Sequence, residues 1–188
     1  ETCVMCNVVM SPKPREGVDF FPLNVEYEEK LYAAGRIPGS FMRREGRPGE
    51  RAILTSRVVD RPMRPLFPKE MRNDVCITMT VMSLDPDCSP EIAGMIGASL
   101  VTAVSDIPWN GPIGGVQVGL VDGEIVLNPT QEQRKKSDLA LTVAATMDKI
   151  VMIEAGANEV DEDTMLNAIK AAHVEIKKII TFINGIVA

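Results

Sequence analysis

The residues with the clearest chemical potential are arginines. Between positions 36 and 72 stand nine arginines and one lysine, against four acids, Glu45, Glu50, Asp60 and Glu70. That window is +6, in a chain whose overall balance of 20 Lys plus Arg against 26 Asp plus Glu is −6. A guanidinium is a planar, permanently charged fork that binds phosphate or carboxylate through paired hydrogen bonds. Three uses of the cluster compete: a solvated face paired with local acids, a subunit seam meeting carboxylates of a partner, and a surface for a polyanion. Ten bases against four acids favour the polyanion somewhat, and local positive charge suffices for it even in an acidic chain. Phe41, beside Arg43 and Arg44, adds a flat ring on which an unpaired base could stack. Arg57, Arg61 and Arg64, at i, i+4 and i+7, form one stripe wherever a helix holds them.

No other constellation stands out. There is no Walker loop, and "GPIGG" at 111–115 lacks the strand–turn–helix setting that would make it a phosphate cradle. His173, the only histidine, falls in a helical pattern and reads as a surface or contact residue. The acids of "DPDCSPE" and "DEDT" precede helices, where the dipole favours negative charge, so no metal site is assigned. Cys3 and Cys6 form a C-x-x-C with no second pair and no nearby histidine. Among strand formers they read as small buried apolar residues. The start of the chain has no basic region followed by an apolar run, and free thiols fit a reducing cytoplasm. It opens on a strand-like run without an initiating Met, which reads as a fragment whose natural N-terminus lies upstream.

The elements that must position these groups follow from composition and pattern. The chain has 188 residues, 45% hydrophobic, 24% charged and only 4% aromatic. That describes one domain with an aliphatic, Met-rich core. The run "IAGMIGASLVTAV" is too short to span a membrane, which takes roughly 18 residues or more, and reads as a buried helix. Strands are expected at 3–10 and, loosely, within "FFPLNVEYEEKLYAAG", with "KPREG" a turn between them. "RIPGSFMRREGRPG" must be a loop. A helix is expected from Pro48, at its first turn, to Arg61, ended or kinked by Pro62 and Pro65. Residues 74–83 form a strand. Ser89, Pro90 and Glu91 open a helix running to Ser105. Asp122 and Gly123 turn a hairpin, "QEQRKKSD" is a polar connector, and two further strands flank Met147 and Asp148. An amphipathic helix covers 161–185, with Gly185 as its C-terminal cap. Strands, helix, strand, helix, four strands, helix is an α+β arrangement of mixed sheets packed with helices.

The stretch "DFFPLNVEYEEKLYAAGRIPGSFMRREGRPGERAILTSRVVDRPMRPLFP", continued by "LDPD", "MIGAS", "SDIPWNGPIGGVQVGLVDGEIVLNPT" and "IVMIEAGANEV", resembles the first RNase PH-type core of the bacterial polynucleotide phosphorylase family. The resemblance covers essentially the whole chain. It implies an RNase PH-like fold over 1–188, a ribosomal-protein-like βαβ domain lacking its first strands. It also implies a whole enzyme that degrades RNA from the 3′ end with inorganic phosphate, releasing nucleoside diphosphates. That enzyme has a second core, KH and OB-type RNA-binding modules, and three chains in a ring around a channel. It acts in mRNA degradation, with RNA-degradation machinery as a further partner. Mg²⁺ or Mn²⁺ is implied in the second core, outside this chain, and no membrane is involved.

Residue by residue, the family's channel-neck loop falls on Phe41, Met42, Arg43 and Arg44, with Met42 in place of a second aromatic. Arg47, Arg57, Arg61 and Arg64 fall on positions tied to RNA or phosphate handling, and Arg61 on an arginine that helps hold phosphate. Two departures stand out. Where the second core has a Gly-Ser-Ser-type phosphate turn, this chain has "CSPEIAG", so that Pro90 removes an amide and Glu91 adds repulsion. Where it has a pair of catalytic aspartates, this chain keeps Asp138 but has Ala140. The expectation is a domain that contributes RNA contacts and ring assembly without a catalytic centre of its own. The alternative is an assembly module, or a regulatory one for a small phosphorylated ligand.

Overall fold

A computed structural model of the chain describes residues 1–39, 41 and 46–188. The first sheet has three strands in the order β1-β3-β2: β1 (Cys3–Pro14), β2 (Leu23–Glu29) and β3 (Asn73–Ser83). β1 runs antiparallel to β3 and β2 parallel to it. A parallel pair cannot be closed by a hairpin and needs a crossover. Here the crossover contains a 3-10 turn (Leu31–Ala34), the arginine-rich segment and helix α1 (Glu50–Met63). The second sheet has the order β5-β4-β6-β7, all antiparallel: β4 (Gly114–Val121), β5 (Glu124–Leu127), β6 (Leu139–Ala145) and β7 (Ile150–Ala157). Helix α2 (Pro90–Val104) links the sheets, α3 (Gln131–Lys136) joins β5 to β6, and α4 (Glu162–Val187) closes the chain.

The layers are sheet, helices, sheet, helix. α2 lies between the sheets. An added Cβ at Gly97 would fall 2.5 Å from Cys6 Sγ on β1, and one at Gly94 would fall 3.2 Å from Met79 Sδ on β3. On its other side Met95 backs onto Gly115 of β4, and Ser99 Oγ accepts a hydrogen bond from Ile113 N at 2.9 Å. The preceding residue of β4, Gly114, faces the opposite way, towards Ile176 of α4. This is the period-two alternation of a strand covered on both faces. One core therefore joins Met63, Ile77, Met79 and Met95 to Ala144 and Met152 of the second sheet. The other packs Val116, Val118, Leu141 and Val143 against Ala168, Ala172, Ile176 and Ile180 of α4.

Local sequence explains most boundaries. Asp122 and Gly123 both adopt positive φ, 52° and 80°, the backbone that a tight two-residue hairpin demands. Ser89 and Pro90 open α2 as expected, although the Ser89 side chain makes no capping bond. β1 runs on to Pro14, taking in the start of the expected "KPREG" turn, and β2 stops at Glu29 where the 3-10 turn begins. "QEQRKKSD" is not a plain connector: the Thr130 side chain and Gln133 form a reciprocal capping box that starts α3.

α1 begins at Glu50, behind Gly49 as N-cap, so Pro48 stands outside it. Pro62 lies inside its last turn, buried, and the chain passes directly into a 3-10 turn at Arg64–Leu66. The carbonyls at this end find other donors, Trp109 Nε1 to Met63 O at 3.3 Å and Asn110 N to Leu66 O at 2.9 Å. Gly185 does not cap α4, which continues through it to Val187. Its φ is not positive, so it never adopts the left-handed state a cap needs.

Candidate RNA- and phosphate-handling face

Of the predicted neck loop, Met42, Arg43 and Arg44 lie outside the described residues. Phe41 is fully exposed. Arg47 lines a cavity between β2 and the start of α1.

The helical stripe is split by its partners. Arg57 lines a shallow groove with Val25, Ile53 and Thr78 and has no ion pair or hydrogen bond among the described residues. Arg61 Nη1 meets Glu154 Oε2 of β7 at 3.3 Å, both side chains about half exposed. Arg64 has a structural task. It forks onto Asp60 at 2.7 and 3.0 Å and donates to the carbonyls of Phe21 and Leu23 at 2.9 and 3.1 Å. Those carbonyls lie at the entry to β2, and the Phe21 ring stacks beside Phe67, with centroids 4.8 Å apart. Arg64 therefore ties helix to sheet. Equal spacing on a helix did not mean equal duty.

Three further residues matter that spacing did not single out. Arg51 Nε meets Glu91 Oε1 at 3.3 Å, so the carboxylate at the start of α2 is matched by a charge from α1 and is not a bare repulsive group. Arg134 of α3 donates to the carbonyls of Pro129 and Pro86. Glu154, whose partner is 93 residues away, carries no local signal. A cavity of about 490 Å³ opens here between α1 and the second sheet, with Val58, Glu91, Gln117, Arg134, Ala140 and Glu154 on its walls. Its charged groups already sit in pairs or on carbonyls. Ala140 contributes no carboxylate, and Pro90 at the first position of α2 contributes no amide. Anion capture at a helix N-terminus needs free amides and unopposed positive charge, and this end of α2 carries Glu91.

The two N-terminal thiols differ. Cys3 and Cys6 are three residues apart on one strand, so they point to opposite faces. Cys3 is exposed, against expectation, because β1 alternates outward at odd positions. Cys6 is half-buried against α2, and burial pushes its pKa up to about 11. They cannot form a shared metal or redox site. His173 is a contact residue, its Nε2 3.2 Å from Thr146 O. Among the described residues no helix is long and apolar enough to cross a membrane.

Two sheets enclosing α1 and α2, with α4 outside, define an RNase PH-like α+β fold. Residues 1–108 match the 3′ exoribonuclease family, domain 1, and residues 111–175 match domain 2 of the same family. The chain belongs to this RNase PH family of 3′ exoribonucleases. It is 62% identical over 187 residues to the polyribonucleotide nucleotidyltransferase of Ruminiclostridium cellulolyticum. It is 63% identical over 188 residues to that of Lachnoclostridium phytofermentans, and 60% identical over 188 residues to that of Clostridioides difficile. Each alignment covers the whole of this chain and 27% of the relative, so the chain spans about a quarter of their length. Among solved structures, rice (Oryza sativa) Rrp46 superposes with a TM-score of 0.79 over 100% of this chain and 84% of its own, at 12% identity. That likeness shows the fold.

Proposed function

We propose that this chain is the first RNase PH-type core of a polyribonucleotide nucleotidyltransferase, a phosphate-dependent 3′-to-5′ exoribonuclease acting in mRNA degradation in the cytoplasm. The observation that carries this reading is the identity of about 60% along the whole chain with proteins of that name. Inorganic phosphate is the co-substrate: it attacks the 3′-terminal phosphodiester and releases a nucleoside diphosphate. A Mg²⁺ or Mn²⁺ ion belongs to the part of the protein beyond this chain.

Within that enzyme this domain contributes RNA contacts and assembly of a homotrimeric ring, and it lacks a phosphorolytic centre. Phe41, Met42, Arg43, Arg44 and Arg47 grip single-stranded RNA at the channel neck. Arg57 and Arg61 lead it onward by charge, with Arg64 fixing their helix. The paired carboxylates of Glu91 and Glu154 and the side chains of Pro90 and Ala140 support the degenerate reading. A second reading, an assembly or regulatory module with no direct RNA role, draws on the fact that Arg51, Arg61 and Arg64 are all paired within the chain.

Incubation with RNA and phosphate tests both. The full-length protein is expected to release nucleoside diphosphates and this chain alone none; substantial release by the chain alone refutes the degenerate assignment. Arg43→Ala/Arg44→Ala in the full-length protein is expected to weaken salt-sensitive RNA binding with the ring intact. Unchanged binding would favour the second reading.

A further inference from the structure

Two asparagines of this chain are followed by glycine, Asn110 and Asn184. Asparagine is chemically labile, and a following glycine exposes it most, because no side chain shields the next amide. In that reaction the deprotonated glycine nitrogen attacks the asparagine Cγ, and ammonia leaves as a five-membered succinimide closes. Water then opens the ring at either carbonyl. One product is aspartate; the other is isoaspartate, in which the main chain runs through the side-chain carbon. The reaction takes only water and a base to remove the amide proton. A folded protein allows it where the side chain can swing, the glycine amide is unbonded and solvent reaches both.

The same dipeptide stands in two opposite settings. Asn184-Gly185 lies inside α4, which continues to Val187, and the Asn184 carbonyl accepts from Ala188 N at 3.1 Å. A helix engages its amides in the i→i−4 ladder, so attack there waits on local opening. Asn110-Gly111 lies in the irregular segment between α2 and β4. The Asn110 side chain is exposed. Among the described residues neither its amide group nor Gly111 N has a hydrogen-bond partner. Only Asn110 N is tied, to Leu66 O at 2.9 Å, which anchors the residue without engaging the reacting groups.

A bulkier neighbour would slow the attack, but the packing excludes one. A Cβ on residue 111 would strike the Trp109 ring. That ring is itself fixed, donating from Nε1 to Met63 O at 3.3 Å and lying 6.0 Å from the Phe67 centroid. The tryptophan that seals the end of α1 therefore requires the glycine that leaves Asn110 open.

We propose that Asn110-Gly111 is a site of non-enzymatic deamidation in the folded protein. Its place gives the change a definite address. Asn110 opens onto a groove of about 460 Å³ shared with Leu66, Asp148, Lys149 and Asn184. Aspartate at 110 adds a negative charge to the wall that carries Asp148. Isoaspartate adds one backbone carbon between the Leu66 anchor and Ile113, whose N donates to Ser99 Oγ at 2.9 Å.

The test ages the folded full-length protein that carries this chain in heavy-oxygen water at mildly alkaline pH. Acidic digestion and mass spectrometry then read label uptake at each asparagine. Residue 110 should take up label about tenfold faster than residue 184, or more, because the helix must open before Asn184 can react. In guanidinium chloride the two rates should converge, since local sequence alone then decides. A protein isoaspartyl methyltransferase should methylate the labelled peptide that contains residue 110. Asn110→Gln, which would have to close a six-membered ring, should leave that peptide unlabelled. Equal rates at the two sites in the folded protein, or label at residue 110 only after unfolding, would overturn the proposal. Should Asn110→Gln not fold, the ratio of the two rates in the wild type decides alone.

Discussion

Arg61 of α1 and Glu154 of β7 meet at 3.3 Å across the seam between the first helix layer and the second sheet. In the proposed function Arg61 handles phosphate, and here one nitrogen of its guanidinium meets a carboxylate. With both side chains about half exposed, such a pair contributes roughly 0–1 kcal/mol. If Arg61 handles phosphate as proposed, the pair opposes an anion there without locking the arginine.

Replacing Glu154 tests that bias. Glu154→Gln should change stability by no more than about 1 kcal/mol and tighten oligoribonucleotide binding by the full-length protein about two- to fivefold, measured by fluorescence anisotropy. Weaker binding would mean that Glu154 holds Arg61 in its working position.

The divided stripe predicts divided phenotypes. Arg64→Ala removes a carboxylate fork and two carbonyl contacts and should destabilise the fold by about 1.5–3 kcal/mol in urea unfolding, the range for hydrogen bonds from a charged group. Arg57→Ala should leave stability within about 0.5 kcal/mol and reduce the salt dependence of RNA binding by about one charge. Equal effects on unfolding would contradict the assignment.

The contact of α2 with β1 is close enough to measure by a mutant cycle. Gly97→Ala places a methyl 2.5 Å from Cys6 Sγ and should cost about 1–3 kcal/mol by overpacking. In a Cys6→Ala background the same change should be neutral, or stabilising by up to about 1 kcal/mol, since alanine is the better helix former. Additive effects of the two substitutions would mean that Cys6 turns aside freely.

Acid should loosen the start of α4. The Thr164 side chain first, and then its backbone N, which donates to the Asp161 carboxylate at 2.8 Å, lower the pKa of Asp161 from 3.8. A depressed folded-state pKa contributes stability above the unfolded value that is lost as pH falls through the folded one. The protection factor of the Thr164 amide, its exchange relative to an unfolded amide at the same pH, should therefore fall only below about pH 4. In Asp161→Asn, which keeps an acceptor without a titrating proton, that pH dependence should vanish.

Local chemistry made much of this fold legible. Asp122 and Gly123 announce their hairpin because few residues tolerate two consecutive positive φ angles, and Ser89-Pro90-Glu91 announces a helix start. The capping box at Thr130 and Gln133 was equally readable, but the charged run after it obscured a six-residue helix. Gly185 misled because a glycine ends a helix only where the chain turns left-handed. The arginine cluster was plain from composition. The division of labour within it was not, because its partners are the Phe21 and Leu23 carbonyls, Glu91 and Glu154, each brought in by tertiary folding.

The position of α2 bears on the unity of the chain. The two family segments meet near residue 110, yet the helix assigned to the first segment presses Met95 and Ser99 onto the second. Parting the polypeptide there would strip one side of α2 and one side of β4 together, exposing apolar surface on both pieces. A boundary drawn in sequence thus runs through the interior of a single cooperative body, and neither half carries a complete interior of its own.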